Sequence, residues 1–193
     1  MPYDYTDAPP DLVPHGTIAT VVLHIRAGGV GEDKMLKRRI VGGCEMLDCE
    51  FVIADTSHKG RKFWGNLILE GTTDGHAKAA AMSRNTLKAI LDSALGLKPD
   101  DVSPQARAAR TVSLKQFEGM TFMATIGIEK GGPKKEGGGN WPDKNILAGV
   151  ITPDRKDWHP VEQPPPFNGG DGGASAAATP PSSAPPIARP GWA

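Results

Sequence analysis

Cys44 and Cys49 are the only thiols in the chain, and four residues separate them, a spacing met in some metal sites. No second pair follows, and His24 or His58 would have to be brought in by the fold, so Cys49 reads as a core residue and zinc as the weaker alternative. The segment 71–76 joins a strand to a helix start but lacks the lysine-hydroxyl ending of a P-loop and the triple glycine of a dinucleotide fingerprint. A helix cap explains it. Gly29-Val30-Gly31 precedes no convincing helix, His15, His76 and His159 have no partner at acid-base spacing, and no serine sits in an elbow motif. The expectation is a non-enzymatic protein with no cofactor and no metal.

The side chains that remain suit binding. Lys62, Trp64 and Asn66 alternate with Phe63 and Leu67, so on a strand they share the face turned away from the core. A tryptophan placed there either packs beneath a loop or helix or offers its ring to a flat ligand. Two Gly-rich stretches carry cations: residues 27–44 hold Lys34, Lys37, Arg38 and Arg39, and residues 130–144 hold Lys134, Lys135 and Lys144 together with Trp141. Either is a solvated charge run or a loop that binds something, since structureless loops this long are uncommon within a domain. Cations that neutralise phosphates beside aromatic rings that stack on bases are what single-strand binding requires.

These groups must be positioned by a strand-rich frame. Residues 17–26 alternate Ala19, Val21, Leu23 and Ile25 with polar positions and predict a first strand. Residues 47–69 predict a hairpin with a polar turn over 55–60, which puts Asp48 and Glu50 on the same face as Trp64. The period then changes to 3.6: Thr73 or Asp74 caps a helix from His76, with Ala80, Ser83, Leu87, Ile90, Leu91 and Ala94 on one face, and Gly96 followed by Pro99 ends it. A short helix follows over 103–109, then a strand from Thr121 and a last one over 145–151. Five strands with the main helix between the third and fourth is the connectivity of a five-stranded OB-fold barrel, a mainly β class. The two basic stretches fall at the loops that usually flank its ligand face.

Composition limits the rest. With 24 glycines and 18 prolines among 193 residues, one core can close but the whole chain is not expected to order. Residues 1–15, acidic and Pro-rich, read as a flexible N-terminal arm, residues 16–160 as the OB-fold nucleic-acid-binding domain, and residues 161–193 as a disordered Pro/Gly/Ala-rich tail. The formal net charge is zero and the pI near 7.0, so any basic surface is local. No signal segment or membrane-spanning run is evident, and the expected setting is a reducing cytoplasm.

The run GRKFWGNLIL, the helix AKAAAMSRNTLKAILDSALGLKP and the strand FEGMTFMATIGIEK resemble a family of phage and prophage proteins formerly filed as a domain of unknown function. The resemblance covers residues 14–152. It implies an OB-fold, single-stranded DNA binding in phage replication and recombination, a bacterial host cytoplasm as the setting, and Lys62 and Trp64 as binding-face residues. The expected partner is thus single-stranded DNA, with RNA left open, together with replication or recombination proteins through the tail. The tail departs from the acidic ends of such proteins, holding only Glu162 and Asp171 as acids. The alternative is a phage structural or adaptor protein that uses the barrel as a scaffold for protein contacts.

Overall fold

The computed structural model describes residues 12–39, 42–134 and 138–163. Its strands are β1 (Thr17–Ile25), β2 (Lys37–Arg39), β3 (Cys44–Ile53), β4 (Lys62–Glu70), β5 (Thr121–Glu129) and β6 (Lys144–Val150), with helices α1 (Asp74–Leu95) and α2 (Pro104–Ala109) between β4 and β5. All pairings are antiparallel. β1 lies between β3 and β5, β4 pairs with the other edge of β3, and β6 pairs with β5. The short β2 pairs with residues 44–46 of β3, on the edge that β1 takes further along.

Alternation along the strands explains the layering. Val21, Leu23, Leu47, Cys49, Phe51, Ile53, Phe122, Ala124 and Ile126 are buried and turn to one side, where Leu87, Ile90, Leu91 and Ala94 of α1 meet them. Phe51 stacks on Phe63 at 5.1 Å and meets Phe122 edge-on at 6.4 Å. Helix α1 begins where the Thr73 hydroxyl accepts the His76 N–H at 3.2 Å and stops at Gly96, whose φ of 68° is left-handed. It packs against β4, β5 and β6.

Two expectations change. The stretch 27–44 is not one loop: Val30 bridges to Leu36, Met35 and Leu36 are buried, and residues 37–39 form β2, so the sheet has six strands in place of five. The sheet is also open, because no ladder joins β4 to β6 among the described residues although their Cα atoms come within 8 Å.

Both ends of the described chain are tied down. Val13, in the stretch expected to be a free arm, is 2% exposed, and its N–H and carbonyl bond to the side chain of Asn145 at 2.9 and 2.8 Å. Beyond β6, the Trp158 indole donates to the Ser93 carbonyl, and Gln163 exchanges hydrogen bonds with the Thr121 N–H and C=O while also donating to the Ala94 carbonyl. The tail expected over residues 161–193 therefore does not begin at 161, since Gln163 is tied to β5 and α1, and residues 164–193 lie outside the described residues.

Candidate nucleic-acid interface

The face of β3 and β4 away from the core carries Met46, Asp48 and Glu50 opposite Ile68, Asn66 and Trp64. Trp64 is 51% exposed, and its indole N–H donates to Glu50 Oε2 at 3.1 Å. Lys62 reaches the other Glu50 oxygen at 2.7 Å. These two hydrogen bonds hold the Glu50 carboxyl below its ordinary range. The ring is thus held at its polar edge with half of its surface exposed, so it is not packed away beneath a loop or helix.

Asp48 is the centre of a second cluster. Its Oδ1 accepts from Arg26 at 2.6 Å and its Oδ2 from Lys37 at 2.8 Å, joining the residue after β1 and the start of β2 to the middle of β3. Burial alone would raise this carboxyl, but the bonds from Lys37 and Arg26 outweigh it and hold it low. Both acids on the Trp64 face are therefore paired with cations.

Between these clusters and the start of β6 runs a groove of about 600 Å³, lined among others by Arg26, Lys37, Arg61, Lys62, Trp64 and Lys144. Asp48 and Asp143 also line it, so five cationic side chains face two carboxylates there. Asp143 anchors the adjoining loop, accepting from Lys130 at 2.6 Å and the Gly131 N–H at 2.9 Å, and these bonds lower its pKa. Gly131 is obligatory, because a Cβ there would coincide with the Trp141 carbonyl oxygen.

Of the ten residues expected at the site, Lys37, Lys62, Trp64 and Lys144 line this groove, Lys144 with an ion pair to Glu129 at 2.9 Å. Arg38 points the other way, to Glu45 and a hollow beside α1, as strand alternation next to Lys37 requires. Arg39 is exposed at the end of β2, and Lys34 sits in a tight turn at φ 56°, neither of them lining the groove. Lys134 stands 5.2 Å over the ring of Trp141, which is 62% exposed, but this pair also lies outside the groove. Lys135 lies outside the described residues.

Arg26 and Arg61 line the groove although their sequence neighbourhoods did not single them out. Arg26 was within reach of period two, since it continues the polar face of β1 after His24; Arg61 adjoins Lys62 but precedes the strand. Cys44 and Cys49 are both buried, and burial pushes the Cys49 thiol up to about 12. Among the described residues, no helix is long and apolar enough to cross a membrane, and no group of three or more His, Cys, Asp or Glu is placed to hold a metal ion.

Comparison with family models, with curated proteins and with solved structures finds no match to this chain.

Proposed function

We propose that this chain is a single-stranded DNA-binding protein of the phage replication and recombination type, built on an OB-like sheet whose β4 and β6 approach without joining. The observation that carries the reading is Trp64, half exposed and held by its indole N–H in a groove of five cations. A base stacks on the ring while the cations take the adjacent phosphates, and neither contact depends on sequence. RNA single strands satisfy the same chemistry. The reading assigns no catalytic step, no cofactor and no metal, and sets the protein in the bacterial host cytoplasm, with replication or recombination proteins as further partners.

The discriminating test is competition between a thymine-rich single strand and an equal-length duplex at low salt. The single strand is expected to bind more tightly, because duplex bases are already stacked and cannot reach the ring. A duplex preference would overturn the proposal.

The adaptor reading has one observation in its favour. Lys37, Arg38, Lys62 and Lys144 each pair with a carboxylate, which lowers the charge that a polyanion would meet. In that case the β3–β4 face would dock a protein, and oligonucleotides would not bind even at low salt.

A further inference from the structure

The side-chain acceptors of the groove are committed within the fold, with one exception. Asp48 holds a cation at each carboxylate oxygen, Asp143 accepts from Lys130 and the Gly131 N–H, and Glu50, bonded to two of the lining side chains, accepts from Lys62 and Trp64. The Asn145 amide is held by the N–H and C=O of Val13. Asn66 is the exception. It lines the groove, it is exposed, and its side chain makes no hydrogen bond to any described residue, not even to Asp48 directly across the ladder. Alternation puts it on the face of Trp64, two positions and roughly 7 Å along β4, within an amide's reach of the edge of a base lying on the ring.

We infer that Asn66 reads the Watson–Crick edge of a thymine or uracil stacked on Trp64, its amide oxygen accepting the base N3–H while its amide N–H donates to a neighbouring carbonyl. The inference rests on the single-strand reading of the groove and adds to it a base-reading residue. Donor and acceptor accounting selects the base. The groove has one uncommitted side-chain acceptor, Asn66 Oδ1, among the described residues, whereas donors are in excess, because Lys and Arg side chains carry several N–H groups and an ion pair engages only part of them. Thymine and uracil match this, with a single N–H on that edge between two carbonyls. Adenine and cytosine bring an amino group with two N–H, and guanine adds a ring N–H to its amino group, so each leaves a donor that no groove side chain accepts. Base preferences of sequence-tolerant single-strand binders come from stacking and backbone flexibility. An amide set against the base edge is hydrogen-bond readout instead, of the kind that unstacked single-stranded bases receive.

The test compares an oligothymidylate with a strand of the same length built from N3-methylthymidine, which keeps the phosphates, the sugars and the stacking faces and replaces the N3–H by a methyl group. The full chain is expected to bind the unmodified strand at least about five-fold more tightly, the lower end of what a bidentate amide–base pair discriminates. Asn66→Ala, and Asn66→Leu, which keeps the bulk, are expected to bind the two strands nearly equally, with the salt slope of the full chain. Their melting temperatures are expected to match it too, since Asn66 is exposed and unpartnered. A methylation penalty absent from the full chain, or as large in the Asn66 variants as in the full chain, would overturn the inference while leaving single-strand binding in place. Failure of the folded full chain to bind the unmodified strand at low salt would overturn the inference and the single-strand reading together.

Discussion

Trp64 and Glu50 face each other directly across the β3–β4 ladder, and the indole N–H donates to the carboxylate at 3.1 Å. The bond sets the ring's orientation, which on the proposed function would reduce the ordering cost of stacking a base.

Glu50 also occupies Lys62, so it both organises and partly neutralises the site. In Glu50→Gln the amide oxygen still accepts the indole N–H, whereas Lys62 loses its counter-ion. Oligonucleotide binding is expected to tighten, with the slope of log affinity against log salt growing by about 0.7 for one additional phosphate neutralised. Titrations at several salt concentrations read this directly, and an unchanged slope would mean that Lys62 takes no part.

Neighbouring cations on β2 are expected to behave differently. Lys37→Glu places an anion in the groove and should weaken oligonucleotide binding whatever its sequence, because phosphate contacts carry no base information. Arg38→Glu acts on the opposite face, beside Glu45, and should leave affinity nearly unchanged. Equal losses from the two substitutions would contradict the groove.

That contrast marks what the sequence could and could not reveal. Period two located five of the six strands, period 3.6 together with Thr73 and Gly96 located α1, and the same alternation put Lys62 and Trp64 on one polar face. The run Lys37-Arg38-Arg39 has no apolar alternation, and only its register against residues 44–46 makes it a strand and turns Arg38 away. Pairings such as Asp48 with Arg26, or Asn145 with Val13, join residues 22 and 132 positions apart, which no local pattern encodes. The acids at 48 and 50 were legible as neighbours of Trp64, but not the cations that cover them.

Asp48 links the site to acid stability. Its carboxyl is held below the ordinary 3.8 in the folded protein, so the unfolded chain takes up its proton first as the pH falls. The stability it contributes is therefore complete above that value and lost as pH drops through the lower folded pKa. Chemical unfolding between pH 6 and pH 2 is expected to show Asp48→Asn less stable near neutrality and the two proteins converging in acid. Curves that stay parallel would show that the Arg26–Asp48–Lys37 cluster does not carry this dependence.

Away from the groove, Asp92 on α1 is fully buried and takes Lys88 at 2.8 Å and Arg110 at 2.6 Å, while Arg110 also donates to the carbonyls of Asp101 and Lys98. Asp92→Asn leaves the mostly buried Arg110 guanidinium without its anion and is expected to cost about 3 kcal/mol. Lys88→Ala removes a half-exposed partner and should cost less than about 1 kcal/mol. Denaturant titration of both variants checks the order; oligonucleotide affinity of the folded fraction should not change in either.

The central claim is that Trp64 stacks on a base within a cationic groove, and the most direct measurement is a fluorescence titration of the full chain and of Trp64→Ala with a thymine-rich single strand over a range of salt. The account predicts saturable quenching in the full chain that is largely lost in the variant. By anisotropy of a labelled strand, it predicts an affinity lower by about 1–3 kcal/mol in the variant, with an unchanged salt slope and, because the ring is half exposed, a nearly unchanged melting temperature. Equal affinity of the two proteins, or no binding by either at low salt while both remain folded, would contradict it.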